Sequence, residues 1–427
     1  MNELTDLLII GAGPAGMSAA LAAASSGMRI VVLDDNPLLG GQIWRDGPQA
    51  NLPTEARRLR EQLQACDNVQ CYPGTRVIAC AADKTLLVED AERGWSINYD
   101  RLILCTGARE LLLPFPGWTL PGVTGAGGLQ ALIKGGLPVR GERLVIAGSG
   151  PLLLASAATA KHQGAQVLRI AEQASRARVL GFAAQLPRWP NKWLQSFSLL
   201  DAHYRTGSHV LQALGRDRLE GVRLFQQGKT VELACDRLAC GFGLVPNVQL
   251  GQALGCGVQD QALAVDAWQA TTRPGYYAAG ECTGFGGSEL AQVEGAIAGF
   301  AAVGNSTAAQ RLWPRRARWQ AFARALNRAF ALDARLKTLA RPDTLVCRCE
   351  DVPYADLLGH ENWRKAKLAS RCGMGACQGR VCGAALEHLF GWTPPTPRPP
   401  FSPARIETLL ALGENAPPDT RRRVGRA

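Results

Sequence analysis

Apolar residues in the first forty positions come in two short runs separated by small residues. Leu7-Leu8-Ile9-Ile10 has the length of a buried strand and runs directly into Gly11-Ala12-Gly13-Pro14-Ala15-Gly16. A small-residue helix is predicted through Ala24; Gly27 stops it, and Ile30-Val31-Val32-Leu33 forms a second strand ending in Asp34. The same pattern returns at Arg143-Leu144-Val145-Ile146-Ala147, with the turn Gly148-Ser149-Gly150-Pro151, a helix, Gly164, and a strand from Gln166 to Ile170 just before Glu172. Two βαβ openings therefore lie in one chain. Further strands are predicted at Arg101-Leu102-Ile103-Leu104, entering Cys105-Thr106-Gly107-Ala108, and at Tyr276-Tyr277-Ala278-Ala279, entering Gly280-Glu281. From Trp313 to Leu339 the spacing becomes helical, with Trp313, Trp319, Phe322, Leu326, Phe330 and Leu336 separated by arginines, which predicts one or two basic amphipathic helices. A short cysteine-bearing segment follows, from Leu345 to about Trp392. The chain ends with a Pro-rich stretch, Pro394 to Pro403, a brief helix near Ile406 to Leu412 and a basic tail.

The length of 427 residues predicts two or three domains, and 47% apolar with 19% charged residues is a globular composition. The net charge of +11 suggests nucleic acid until it is located. Residues 311 to 341 carry a net +8 and residues 419 to 427 a net +3, so the remainder is balanced and offers no broad basic surface. Thirteen cysteines is an odd number for a disulfide framework, and MNELTDLLII lacks the features of a secretory signal. A cytoplasmic protein with reduced thiols is expected. The longest apolar stretch, Leu144 to Ala160, is broken by Gly148, Gly150 and Pro151, so no transmembrane segment is predicted.

The glycine pattern carries the first chemistry. In GxGxxG the first glycine permits the tight turn, the second lets backbone amides approach a pyrophosphate, and the third lets the helix close on the strand. Gly11, Gly13 and Gly16 fill these slots, the helix start faces the phosphates, and Asp34 is placed to accept ribose hydroxyls. The order GAGPAG, Gly40-Gly41-Gln42, a Thr106-Gly107-Ala108 segment, a second GxG unit and a late Ala279-Gly280-Glu281 resembles the two-dinucleotide-binding-domain flavoproteins of the disulfide reductase-like superfamily. The resemblance covers residues 1 to about 300. It implies an α/β fold in which an FAD domain (1–115 and 241–305) receives an inserted NAD-like domain (116–240). It also implies that Gly41, Gln42, Thr106 and Gly107 line the flavin and that Gly280 and Glu281 reach the ribityl chain.

In the second unit Gly148 and Gly150 fill two slots, but Leu153 stands in the third, where its side chain is expected to hold the helix off the strand. Glu172 can accept ribose hydroxyls and repels a 2′-phosphate, favouring NAD or another adenine nucleotide over NADP. The alternative is a structural unit that binds no nucleotide. Disulfide-reductase chemistry needs a redox cysteine pair beside the flavin, and no C-x-x-C occurs. Cys66 with Cys71 and Cys235 with Cys240 read as incidental thiols. Electrons on the flavin must leave by another route.

Five cysteines within 36 residues offer that route: Cys347, Cys349, Cys372, Cys377 and Cys382, with glycines around the last three. Converging thiolates on glycine-permitted turns suit an iron–sulfur cluster, with zinc the competing metal. CRCEDV with SRCGMGACQGRVC resembles the bacterioferritin-associated-ferredoxin-like [2Fe–2S] domain. That likeness implies Cys347, Cys349, Cys377 and Cys382 as ligands, with Cys372 extra, or an alternative to one of them.

Taken together, the FAD motifs, GSGPLLLA, GECTGFGGSELA, the cysteine segment and PRPPFSPARIETLL resemble the FAD and [2Fe–2S] subunit of multisubunit dehydrogenases of amines and imino acids. This family includes subunits of opine oxidases, D-hydroxyproline dehydrogenase and hydrogen cyanide synthase. The implied architecture adds a basic helical linker (306–342), a [2Fe–2S] domain (343–392) and a Pro-rich tail (393–427). The implied function is electron transfer beside a second flavoprotein subunit that oxidises an opine, D-amino acid or imino acid; a further candidate partner is a small third subunit. A self-sufficient NAD(P)H-dependent reductase is the alternative, and a redox-responsive nucleic-acid binder a weaker one. The five histidines show no ligand-like spacing, and no acid–base group stands out as catalytic.

Overall fold

The computed structural model describes residues 2–414. The first sheet is built from β1 (Asn2–Ile10), β2 (Ile30–Asp34), β3 (Val69–Pro73), β4 (Arg76–Ala82), β5 (Thr85–Glu89) and β6 (Gly94–Leu104), in the order β3-β2-β1-β6-β5-β4. The strand Tyr276–Ala278 returns, parallel, to the end of β6, setting Tyr276 beside Leu102 and Ala278 beside Leu104. Strand residues alternate between two cores. Leu7, Ile9, Val32 and Ile103 face the helices Pro14–Ala24 and Gly287–Ala302, while Leu8, Ile10, Val31 and Leu102 face the opposite side. Burial on both faces explains why β1 reads as an unbroken apolar run rather than an alternating one. The two helices cross closely because Cβ atoms at Gly295 and Gly299 would strike the carbonyls of Ala15 and Ala19.

The chain leaves this unit through β7 (Ala108–Glu110). The second sheet contains β8 (Val123–Gly125), β9 (Arg143–Gly148), β10 (Gln166–Glu172) and β11 (Tyr204–Arg205), then β15 (Arg237–Gly241), in the order β11-β10-β9-β15-β8. Between β11 and β15 lies an antiparallel sheet of β12 (Ser208–Leu214), β13 (Gly221–Gln226) and β14 (Lys229–Ala234). The return strand β16 (Leu244–Pro246) pairs with β7, so entry and exit form a two-stranded link. Leu153 is fully buried and fits against Gly241 of β15, where a Cβ would lie 3.3 Å from it. Space for the bulky third slot thus comes from a glycine on the neighbouring strand.

The basic segment packs against both units. Its helix Trp313–Ala329 buries Trp319 and Phe322 against Phe182, Leu186 and Trp189 of the inserted unit and against Leu290, Val293 and Ile297 of the first unit. Among its arginines, Arg316 turns inward and donates to the Ala267 carbonyl (2.7 Å) and Gln269 Oε1 (3.2 Å). A hairpin (Leu345–Cys347 with Val352–Pro353) and the helices Trp363–Ser370 and Cys382–Phe390 then enclose a small core of Val346, Leu357, Trp363, Leu386 and Trp392. Beyond it the Pro-rich stretch returns to the first sheet. Phe401 N–H donates to the Ile78 carbonyl (2.7 Å), Arg405 N–H to Glu89 (2.9 Å), and the helix Ile406–Glu414 packs Leu409 and Leu412 on Ile78 and Leu87. The arginines of residues 419 to 427 lie outside the described residues. No helix among the described residues is long and apolar enough to cross a membrane.

Candidate functional site

The predicted flavin residues gather around the start of the helix Pro14–Ala24. Gly11 takes φ +102°, and a Cβ at Gly16 would collide with the Gly11 carbonyl. Gly13 and Gly41 face each other backbone to backbone, a Cβ at Gly41 lying 3.0 Å from Gly13 Cα. Asp34 Oδ2 accepts from Ala12 N–H (2.6 Å) and Oδ1 from Asn36 N–H (2.8 Å), so the carboxylate braces the turn; burial raises its pKa against these bonds. Each carboxylate oxygen has two acceptor sites, which leaves capacity for ribose hydroxyls. Gly280 lies against Ala15, its Cβ position 2.8 Å from Ala15 Cβ. Among the described residues the Glu281 carboxylate has no hydrogen-bond or ion-pair partner, and burial alone raises its pKa. A half-buried carboxylate with no protein partner, beside a turn that leaves its backbone open, fits a hydroxyl-rich chain ending in a pyrophosphate, as FAD has. Gln42 stands at the exposed rim, accepting from Arg45 (2.8 Å).

Two residues here escaped sequence reasoning. Asn247 latches the Thr106-Gly107 turn: its carbonyl accepts from Thr106 Oγ1 (2.6 Å), its amide side chain donates to the Thr106 carbonyl (2.9 Å), and its N–H donates to the Gly107 carbonyl (3.0 Å). Glu294, buried in the helix Gly287–Ala302, accepts from Gly280 N–H (3.1 Å) and Thr283 Oγ1 (3.3 Å). Burial pushes its pKa up to about 7, against the lowering effect of these bonds and of Arg316. Between its ordinary value of 4.5 and about 7, the folded chain keeps a proton that the unfolded chain has lost, so stability falls as pH rises through this window and levels off above it. Glu294→Gln is expected to remove on the order of 3 kcal/mol of that fall. Denaturant melts of both proteins at pH 5 and pH 8 check it: equal pH dependence in the two refutes the assignment.

The second glycine turn is covered from within. Ser149 Oγ donates to the Phe330 carbonyl (2.8 Å), Gln173 Nε2 donates to Ser149 Oγ (2.9 Å) and the Ala331 carbonyl (3.2 Å), and Asp333 N–H donates to Gln173 Oε1 (3.1 Å). The Phe330 ring lies 3.8 Å from where a Gly150 Cβ would stand. Glu172 is fully buried, accepting from Gly150 N–H (2.7 Å) and Ala174 N–H (2.8 Å), and burial raises its pKa. Gly148, Gly150 and Glu172 thus come together, but residues 330–333 lie where a pyrophosphate would approach.

Three of the five cysteines of the C-terminal segment also converge. The sulfurs of Cys347, Cys372 and Cys382 lie within 4.8 Å of one another, all buried. Cys349 and Cys377 form an adjoining pair whose thiols hydrogen-bond. Backbone amides of Gly373, Glu350 and Cys349 point at the Cys347 sulfur, and those of Val381, Gly379 and Arg380 at Cys377. Burial raises the Cys377 pKa, but these amides and the Cys349 thiol outweigh it and bring it below the ordinary value. Sulfurs ringed by N–H donors on a glycine-rich loop fit an iron–sulfur centre. The loop keeps this shape by packing on Trp363, whose ring fills the space a Cβ would need at Gly373, Gly379 and Gly383. Cys372, expected as an extra thiol or an alternative ligand, sits inside the group of three, whereas Cys349 and Cys377, implied as ligands, form the pair beside it.

Residues 5–298 match the pyridine nucleotide-disulphide oxidoreductase family, and the chain belongs to it. It is a flavin-dependent oxidoreductase with the two-domain α/β fold of that family. The chain is 30% identical to hydrogen cyanide synthase subunit HcnB of Pseudomonas aeruginosa, across 96% of this chain and 99% of that one. It is 32% identical to an opine oxidase subunit of Rhizobium meliloti, across 97% and 89%. Among solved structures, L-proline dehydrogenase from P. horikoshii superposes with a TM-score of 0.64 at 17% identity, covering 96% of this chain and 80% of that one. Thioredoxin reductase of T. acidophilum superposes at 0.53 and 21% identity, covering 73% and 99%; these likenesses show the fold.

Proposed function

We propose that this chain is the FAD- and [2Fe–2S]-carrying electron-transfer subunit of a multisubunit dehydrogenase. Its partner would be a second flavoprotein subunit that oxidises an opine, a D-amino acid or an imino acid. The observation that carries this reading is a group of three buried thiols with a second thiol pair beside it, backbone amides facing Cys347 and Cys377, in a small domain attached to a flavin-type cradle. A flavin accepts electrons in pairs and releases them singly, which is what a one-electron iron–sulfur acceptor requires. In this reading Gly11, Gly13 and Gly16 admit the pyrophosphate, Asp34 and Glu281 accept sugar and ribityl hydroxyls, and Gly41, Gln42, Thr106 and Gly107 line the flavin. Cys347, Cys349, Cys377 and Cys382 hold the cluster, and Cys372 is a fifth, neighbouring thiol. Relatives that are themselves named as subunits of synthases and oxidases support a multisubunit setting.

The alternative of a self-sufficient NAD(P)H reductase needs an open second nucleotide turn, and the contacts of Phe330 and Ala331 with Ser149 and Gln173 weigh against it. NADH added anaerobically to the purified chain is expected to leave the flavin spectrum unchanged, while dithionite bleaches it. Rapid bleaching by NADH would replace the relay reading with the reductase.

A further inference from the structure

Arg109 stands two residues beyond Gly107, on β7, and its guanidinium serves two redox segments at once. Nη1 donates to Asn247 Oδ1 (3.0 Å) and the Pro246 carbonyl (3.3 Å), while Nε donates to the carbonyl of Arg380 (3.0 Å). Asn247 is the latch of the Thr106-Gly107 turn, and Arg380 lies in the loop between Cys377 and Cys382. The peptide group joining Arg380 to Val381 is therefore engaged at both ends: its oxygen accepts from Arg109, and its N–H points at the Cys377 sulfur. Hydrogen bonds in such a chain polarise one another, so a cation on the carbonyl strengthens the N–H···S bond at the far end of the same peptide. No carboxylate lies within ion-pair distance of Arg109 among the described residues, so its charge is spent on these carbonyls. Arg380 is a second cation nearby, and Glu387, held by Gln261 Nε2 (2.9 Å), is the nearby anion.

We propose that Arg109 is a positioning residue for the electron relay, docking the Cys377–Cys382 loop onto the flavin-lining turn and, through the Arg380–Val381 peptide, stabilising the negative charge gained at Cys377 on reduction. The proposal rests on the relay reading above. Each electron passed from the flavin adds one negative charge to the cluster, and a polarised N–H aimed at a ligand sulfur favours that state. Arg109 thereby raises the cluster's reduction potential as well as fixing its place.

Arg109→Gln and Arg109→Lys in the full chain test this. Amide hydrogen exchange across residues 377–383, read by mass spectrometry in cluster-free protein, is expected to quicken roughly tenfold in Arg109→Gln as the carbonyl anchor is lost. In iron-loaded protein, a dye-mediated titration is expected to place the Arg109→Gln cluster at a lower potential than the wild type, with flavin and iron content unchanged. Arg109→Lys, which keeps the charge but not the fork, should fall between. Exchange and potential both at wild-type values overturn the proposal. Quickened exchange with an unshifted potential reduces Arg109 to a dock and overturns its electrostatic part. A wild-type chain that takes up no iron, while exchange still quickens in Arg109→Gln, overturns the relay reading and leaves the docking intact.

Discussion

Gly13→Val is expected to give folded protein without flavin. The reason is where the new side chain would go. A Cβ at Gly13 meets only Gly41 Cα, at 3.8 Å, an ordinary contact, so the valine Cβ is accommodated, and the added methyls are expected to occupy the approach that the second glycine of the motif keeps open for a pyrophosphate. Gly16 behaves differently: a Cβ there runs into the Gly11 carbonyl, so Gly16→Val should break the strand–helix contact and lower stability itself. The pair separates loss of a ligand site from loss of fold. Flavin absorbance after gel filtration, with circular dichroism as the fold check, reads both. Full flavin occupancy in Gly13→Val would remove the first glycine turn from the FAD site.

Serine at Cys347, Cys349, Cys377 or Cys382 is expected to abolish iron binding, while Cys372→Ser retains it. The structure makes this a demanding test, because the sulfurs of Cys372, Cys347 and Cys382 all lie within 4.8 Å of one another. What separates Cys372 is its surroundings. Cys347 and Cys377 are ringed by backbone amides suited to a thiolate, whereas Cys372 is hydrogen-bonded to Cys382 and raises the pKa of that thiol. The Cys382 thiol, its pKa raised by the neighbouring Cys372 and by burial, must lose its proton before it can ligate, so iron uptake should quicken as pH rises. Iron per chain and the visible spectrum of the five single variants decide the set: an iron-free Cys372→Ser beside an iron-replete Cys382→Ser moves the fourth ligand to Cys372. Zinc in place of iron in protein expressed with ample iron would change the metal and end the relay reading.

Much of the first unit was readable along the chain because its signals are local. A buried strand, a glycine turn and a terminal acid fall within residues 7–34, and the structure places them as β1, the turn and Asp34. The cysteine segment was readable for the same reason. The residues that escaped act across distance. Asn247 meets Thr106 from 141 positions away, and Arg109 meets Arg380 from 271. The covering of the second turn was hidden for a further reason: its main acceptors are the carbonyls of Phe330 and Ala331, and backbone groups leave no mark in residue identity. Glu294 shows a third limit, since a carboxylate in a helix signals nothing until its neighbours have excluded water.

The return of the chain after Trp392 to the edge of the first sheet means that the cysteine domain is held at both ends. The basic helix fixes it before Leu345, and the Phe401 and Arg405 bonds fix it afterwards. Arg380 adds a further bond to the Phe401 carbonyl. A module on one flexible tether samples a volume set by linker length, and its local concentration at any one docking point is diluted accordingly. A double anchor removes that search. If the relay proposed above operates, its two redox stations would be fixed stops on one track, with traffic between them independent of protein concentration and only the onward handoff to another molecule dependent on it.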